Sequence, residues 1–292
     1  MTFSDSVGRT HLKYVRLNGR GTPSKWTLFL MNTAGALLSQ DVLADEVSDG
    51  APTIPADHVL LDASGSVLIS GRDGGGASIG WLHNIPGSVI AVAGDYETLD
   101  NAHWEYGSLS AALNTKSDSV FAEVDEGAGS VGGSSRPHHF GYSMEVLGAR
   151  AVLGSAITVQ LETRQIDVDT SHGNLPKFTL EYSWHRDWQT AVSYAKSVGG
   201  NLGTELATLR VDRSGFSFAT PFVGGAVGHV APPVVNFQPG QTATSPQYRE
   251  LFLGATTGIA HGEWTFLLDY TSLEGLRRIA LSLTCLLPSG RT

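Results

Sequence analysis

The chain has 292 residues, with 19 Lys and Arg against 28 Asp and Glu, and a net charge of −9. That length accommodates two domains or one large β domain. The absence of a basic arm or polybasic run excludes direct nucleic-acid binding through counterion release. Cys285, the only cysteine, excludes an intrachain disulfide and a cysteine metal cluster.

Only 16% of the residues are charged, against about 25% in an ordinary soluble domain, and 35 are Gly. Few charges and many small residues suit a surface covered by neighbouring subunits. Met1 to Arg9 lacks the apolar core of a signal peptide, and no run approaches the ~18 apolar residues of a spanning helix. The sequence therefore predicts neither a signal peptide nor a transmembrane helix, and no membrane partner.

In chain order, His11 to Leu17 and Lys25 to Met31 flank a turn-rich connection and predict a hairpin. Ala34, Leu37, Leu38, Val42 and Leu43 fall at helical spacing and predict a helix over 33–46, capped by Asn32 or Thr33. Val59 to Leu61 and Val67 to Ile69 predict a second hairpin around Ala63-Ser64-Gly65-Ser66. Gly71 to Gly76 is glycine-rich, but no Lys and no helix pattern follow it, so it predicts a plain loop rather than a phosphate cradle. Asp95 to Glu105 gathers four carboxylates and His103. With no second cluster to complete a coordination shell, a solvated segment anchored by Leu99 and Trp104 accounts for it. Ser108 to Leu113 predicts a short helix and Val120 to Val124 a strand.

A Gly/Ser linker over 127–139 then divides an acidic mixed β/α part, residues 1–126, from a β-rich domain, residues 140–292. Charge divides at the same place: residues 1–139 hold 8 basic and 16 acidic residues, residues 140–292 hold 11 and 12. His138 and His139 adjoin the linker. As neighbours in an extended segment they point to opposite faces and cannot share an ion easily.

Beyond the linker the chain alternates. Ile157, Val159 and Leu161 share one side of a segment and Thr158, Gln160 and Glu162 the other, the period of a half-buried strand. Ile166 and Val168 take the polar side's parity, which predicts a β-bulge or a strand crossing between sheets near Thr163. A turn over Thr170 to Asn174, closed by Pro176, leads to Phe178, Leu180, Tyr182 and Trp184 on one face. Asp167 to Gly173 only faintly follows a calcium loop, because the glycine is one place late and Phe178 stands where a bidentate Glu belongs. Residues 188–198 fit a strand or a helix. Leu206 to Val211 pairs with Phe216 to Phe218, and Pro/Gly-rich 221–246 reads as irregular. Tyr248 to Ala255 and Glu263 to Tyr270 predict a hairpin, a capping-box pattern at Thr271 to Glu274 predicts a helical turn, and Leu276 to Leu287 reads as a strand.

The fold class expected is mainly β, a β-sandwich or jelly-roll or a barrel-like antiparallel sheet, with a few short helices and a possible α+β N-terminal part. No catalytic, cofactor-binding or metal-ligating residues stand out. There is no Gly-x-Ser-x-Gly elbow, His-Glu-x-x-His pair, Lys-bearing phosphate loop or Cys-His constellation. These features predict a non-enzymatic structural protein, a homo-oligomeric capsid or virion surface subunit that binds copies of itself and other structural subunits, located in the virion or host cytoplasm. The alternative is an outer-membrane β-barrel, suggested by strand-length segments with aromatic ends such as Trp264 to Leu268 and opposed by Arg164 and Arg210 within strands. A soluble β-domain enzyme or carbohydrate-binding module with a dispersed site is the third reading.

Overall fold

The computed structural model describes residues 57–289, apart from the short stretches 69–72, 86, 100–101, 116, 132–137, 170, 186, 231–246, 260–261 and 274–275. Fourteen strands follow one another: β1 (His58–Leu68), β2 (Asp73–Ile85), β3 (Ser88–Leu99), β4 (Ala102–Asn114), β5 (Asp118–Val131), β6 (His138–Leu153) and β7 (Ile157–Val168). The second half holds β8 (Ser171–His185), β9 (Trp188–Lys196), β10 (Glu205–Arg213), β11 (Thr220–His229), β12 (Gln247–Ile259), β13 (Gly262–Leu273) and β14 (Leu276–Pro288). Each pairs antiparallel with its neighbours in sequence, and β1 pairs with β14 in register His58↔Pro288 through Leu68↔Arg278. The sheet thus closes on itself, and no strand is left with an unpaired edge.

The mainly β expectation holds in the form of a barrel rather than a sandwich, and no helix occurs among the described residues. Ser108 to Leu113, expected as a helix, lies within β4, and 188–196 is β9. The predicted hairpin around Ala63 to Ser66 is one continuous strand, β1. Residues 127–131, read as the start of a linker, belong to β5, and strands on both sides of 132–137 close in the same barrel. Residues 220–229, read as irregular, form β11, whereas Phe216 to Phe218 lie in the connection before it. The hairpin of β12 with β13 and the strand β14 are as expected. The N-terminal hairpin and the helix over 33–46 lie outside the described residues.

Glycine abundance follows from packing inside this cylinder. Phe121, Phe222, Phe252 and Phe140 stand directly opposite Gly148, Gly254, Gly224 and Gly129 on neighbouring strands. In each pair a Cβ on the glycine would run into the phenylalanine ring. The ring lies flat over the bare backbone of its partner, so a large and an absent side chain together fill one cross-strand position. Gly76 makes the same kind of room for the side chain of Glu97.

Two rims differ. At one, the connections are 86–87, 115–117, 154–156, 186–187, 214–219 and 260–261, and β1 begins and β14 ends there. Gly87 and Gly154 take φ of 77° and 75°, the left-handed geometry that tight turns require. The other rim carries 69–72, 100–101, 132–137, 169–170, 197–204, 230–246 and 274–275, among them the two longest connections of the barrel, 197–204 and 230–246. In 197–204 the Asn201 N–H donates to the His172 carbonyl at 2.9 Å, and the His172 N–H donates to Asn201 Oδ1 at 2.8 Å. That clasp turns Leu202 inward, where it is buried. We call these the turn rim and the loop rim. Pro176, expected to close a turn, instead lies within β8. It has no N–H to give β9, so the β8–β9 ladder stops at Lys177↔Ala195 and resumes only as the bridge Asn174↔Val198.

Candidate functional site

The feature that sets the site is the direction in which each face of the wall points. On β7, Thr158, Gln160, Glu162, Arg164, Ile166 and Val168 are all buried and point into the barrel, while Leu161 is 59% exposed on its outside. The alternation is unbroken, so no bulge occurs at Thr163. Ile166 and Val168 share the inner face with the polar residues because that face turns apolar toward the loop rim. The pattern repeats round the barrel: Leu147, Leu209, Leu253 and Leu281 are exposed outside, while Asp269, Thr271, Arg278 and Ser282 are buried inside. Arg164 and Arg210, which as strand charges counted against a barrel in a membrane, both face inward and are buried.

Water would penalise such an outer surface, since soluble monomers rarely expose more than a few hundred Å² of contiguous apolar area. A bilayer interior would not, and a closed barrel leaves no backbone N–H or carbonyl unpaired against it. About ten residues of strand rising about 3.3 Å each at a tilt of about 40° cover about 25 Å, the height of a barrel's apolar band.

Aromatic side chains border this band at both rims. Trp81, Trp184, Trp188 and Trp264 lie on outward positions toward the turn rim. Trp184 and Trp188 stack with centroids 5.4 Å apart, and the Trp184 Nε1–H donates to Thr190 Oγ1 at 2.9 Å. Trp264 Nε1 donates to the Ile259 carbonyl at 3.2 Å, and the Arg213 guanidinium lies 5.1 Å from the Trp188 ring centroid. Tyr96, Tyr194 and Tyr270 occupy outward positions nearer the loop rim, and Tyr194 Oη donates to Glu205 Oε1 at 2.7 Å. Amphipathic rings of this kind sit where hydrocarbon meets headgroups.

Inside, the lumen wall is layered. Toward the loop rim, Trp104, Tyr106, Tyr142, Met144, Ile166, Leu175, Leu202 and Tyr248 form an apolar cluster, with Tyr106 edge-on to Tyr142 at 5.8 Å. Toward the turn rim a smaller cluster joins Leu60, Leu82, Ala91 and Leu286. Charges lie between them. Gln160, Glu162 and Arg164 are spaced by two on β7 and so share the inner face, and Lys177 stands directly across on β8. Arg164 reaches Glu162 Oε1 through Nη2 at 2.6 Å and Nε at 2.8 Å. Gln160 Nε2 donates to Glu162 Oε2 at 2.7 Å, and Lys177 Nζ lies 3.4 Å from Oε1. Glu162 thus satisfies two cations at once in a place where an unpaired charge would be costly.

Further pairs line the same belt. Arg150 lies 3.5 Å from Glu181, which also accepts from Gln189 at 3.3 Å. Arg210 pairs with Asp212, two residues along β10, and lies over the Phe222 ring at 4.2 Å. Across the lumen Asp269 accepts from Thr271 at 2.8 Å and stands 3.8 Å from Arg278.

The segments singled out in the sequence contribute unevenly. Asp73 to Gly76 is the start of β2 rather than a loop. The Asp95 to Glu105 cluster is split by alternation, with Asp95 and Glu97 inward and Glu105 outward. His138 and His139 open β6 on neighbouring positions, and His172 lies at the start of β8. Sequence reasoning missed the lumen charges themselves. Their signal is opposite charges two residues apart, Glu162 with Arg164 and Arg210 with Asp212, on strands whose other face is apolar.

No family model matches the chain, and no curated protein matches it in sequence. Among solved structures it is similar to the CymD monoaromatic hydrocarbon channel, at 11% identity, TM-score 0.58, and coverage of 81% of this chain and 89% of that one. The TodX deltaS2S3 mutant monoaromatic hydrocarbon channel aligns with TM-score 0.55 at 10% identity, covering 81% and 90%. The Ralstonia pickettii toluene transporter TbuX aligns with TM-score 0.53 at 8% identity, covering 80% and 89%. At such identities the likeness is one of fold, that of the barrels of these channels and transporters. The capsid or virion reading, with its absence of a membrane partner and its location in virion or host cytoplasm, is overturned by this likeness together with the inverted wall. Apolar alternation that resembles a face covered by neighbouring subunits is a face suited to lipid.

Proposed function

We propose that the chain is an outer-membrane-type β-barrel that acts as a channel for small solutes and carries out no catalysis. The observation that supports this most strongly is the inversion of the wall, with Leu147, Leu161 and Leu281 exposed outside while Glu162, Arg164 and Asp269 are buried inside. A soluble barrel has no use for that arrangement, and a barrel in a bilayer requires it. Short connections and both barrel-closing strand ends at the turn rim favour an orientation with that rim toward the periplasm and the loop rim outward.

The test is reconstitution. The protein refolded into detergent should migrate differently on a denaturing gel before and after boiling, and should add discrete conductance steps to a planar bilayer. A monodisperse protein in plain buffer, with neither behaviour, would refute the reading.

A further inference from the structure

The connection 197–204, between β9 and β10 at the loop rim, is a strap fastened at three places. Its ends hold each other, the Ser197 N–H donating to the Thr204 carbonyl at 2.7 Å and the Thr204 N–H to Ser197 Oγ at 2.9 Å. It grips β8 twice. Val198 and Asn174 exchange backbone hydrogen bonds, at 2.8 Å from the Val198 N–H and 3.3 Å from the Asn174 N–H, and Asn201 exchanges the pair with His172 described above. Mobile loops have few such ties to the body of a protein, and this one is fixed to it along its length.

It is fixed on the lumen side of the wall. Gly173 shares the parity of Leu175 and Lys177, which face inward from β8. A Cβ on Gly173 would meet Leu202 Cδ1 at 3.1 Å and the Gly199 carbonyl at 2.8 Å. The strap and the Leu202 side chain therefore lie over the inner surface of β8, one layer further into the lumen than the wall. Gly200, at φ 63°, is pressed so closely to β8 that a Cβ there would strike the His172 carbonyl.

Leu202 is 5% exposed because it packs into the apolar cluster at this end of the lumen. That cluster takes a residue from every strand between β4 and β12, running from Trp104 through Tyr142, Ile166, Leu175 and Leu206 to Tyr248. It forms an apolar collar on the inner wall, and Leu202 joins it from the strap rather than from a strand. A side chain that stands inside the wall narrows the bore by its own depth, and the diameter of a rigid constriction decides what passes.

We infer that the strap is the constriction of the channel on its loop-rim side and that Leu202 sets the size of solute admitted. This rests on the channel reading above. The test is single-channel recording in KCl with added polyethylene glycols of graded mass, which lower the conductance only when they enter the lumen. Leu202→Ala should give larger steps than the parent and shift the smallest excluded polymer to a larger one, whereas Leu202→Trp should give smaller steps. Leu209→Ala, on the outer face, should leave both readings at the parent values. Should Leu202→Ala lose its heat-modifiable gel shift, Asn201→Ala replaces it: without the Oδ1 acceptor for the His172 N–H, the steps should flicker to a higher level as Leu202 leaves the collar. Steps from Leu202→Ala but none from the parent would also support the inference. Folded strap variants with the parent's step and cutoff overturn it and leave the channel reading standing, as does an equal change from Leu209→Ala. Insertion of the parent and every variant without steps removes the channel reading itself, so the two failures are distinguishable.

Discussion

Adjacent residues on β7 occupy opposite environments: Leu161 is exposed on the outer face, and Glu162, one residue on, is buried against Arg164 and Lys177. In a soluble β protein the two would exchange places. The difference teaches that burial and apolarity are separable. The outer face is unburied because its solvent is hydrocarbon, and the inner face is buried although polar because charges there satisfy one another. Substitutions that confuse the two faces should therefore be the most damaging.

The largest effect is expected from Glu162→Ala, which leaves Arg164 and Lys177 buried without their shared carboxylate. Loss of one partner from such a pair costs about 3–5 kcal/mol, measurable as a lowered unfolding midpoint in lipid vesicles. Replacing Glu162, Arg164 and Lys177 together by apolar residues should recover most of that loss. An unchanged midpoint for Glu162→Ala would mean that the inner face is wet and open at this level.

Next comes Leu161→Arg on the outer face, near mid-height. A cation there costs about 2–4 kcal/mol in a barrel wall, and the same vesicle titration reports it. No penalty would mean that this face does not meet lipid. A smaller effect is expected from Gly148→Val, whose side chain would displace the Phe121 ring from its place over the bare backbone. Overpacking of that kind costs about 1–3 kcal/mol, and double substitution with Phe121→Ala should relieve it.

The smallest effect lies outside the band. Asp57 precedes β1 at the turn rim. Burial acts to raise its pKa, but hydrogen bonds from His83 and the Asn84 N–H outweigh this and hold it below the ordinary carboxylate value. A depressed carboxylate stabilises the fold above its unfolded pKa, and this contribution is lost as pH falls through the folded one. Asp57→Asn should therefore flatten the acid limb of a stability profile below about pH 4 and leave neutral pH little changed.

Much of the wall was legible in the sequence. Period-two alternation along Ile157 to Glu162, the hairpin of β12 with β13 and the strand at Leu276 to Leu287 all survive in the fold. Which face is inside was not legible, because alternation alone is the same whether the apolar side meets a core, a neighbour or lipid. Glycine misled for a related reason. Gly74 to Gly76, Gly127, Gly129, Gly224 and Gly225 read as loop residues, whereas their role depends on what stands across the strand, as Phe140 does for Gly129 and Phe252 for Gly224. That information resides in register, which no local window contains. The lumen charges were hidden similarly, since Glu97 and Arg278 lie far apart in sequence and meet only when β14 closes on β1.

The most direct test of the central claim that the wall faces lipid outside and solute inside is paired labelling. Single cysteines at Leu161 and at Thr158, in a Cys285→Ser background, would carry a nitroxide in a reconstituted vesicle. The account predicts that the label at 161 is relaxed by oxygen dissolved in the bilayer and the label at 158 by a water-soluble nickel complex. The reverse assignment, or equal access of the nickel complex to both, would contradict it.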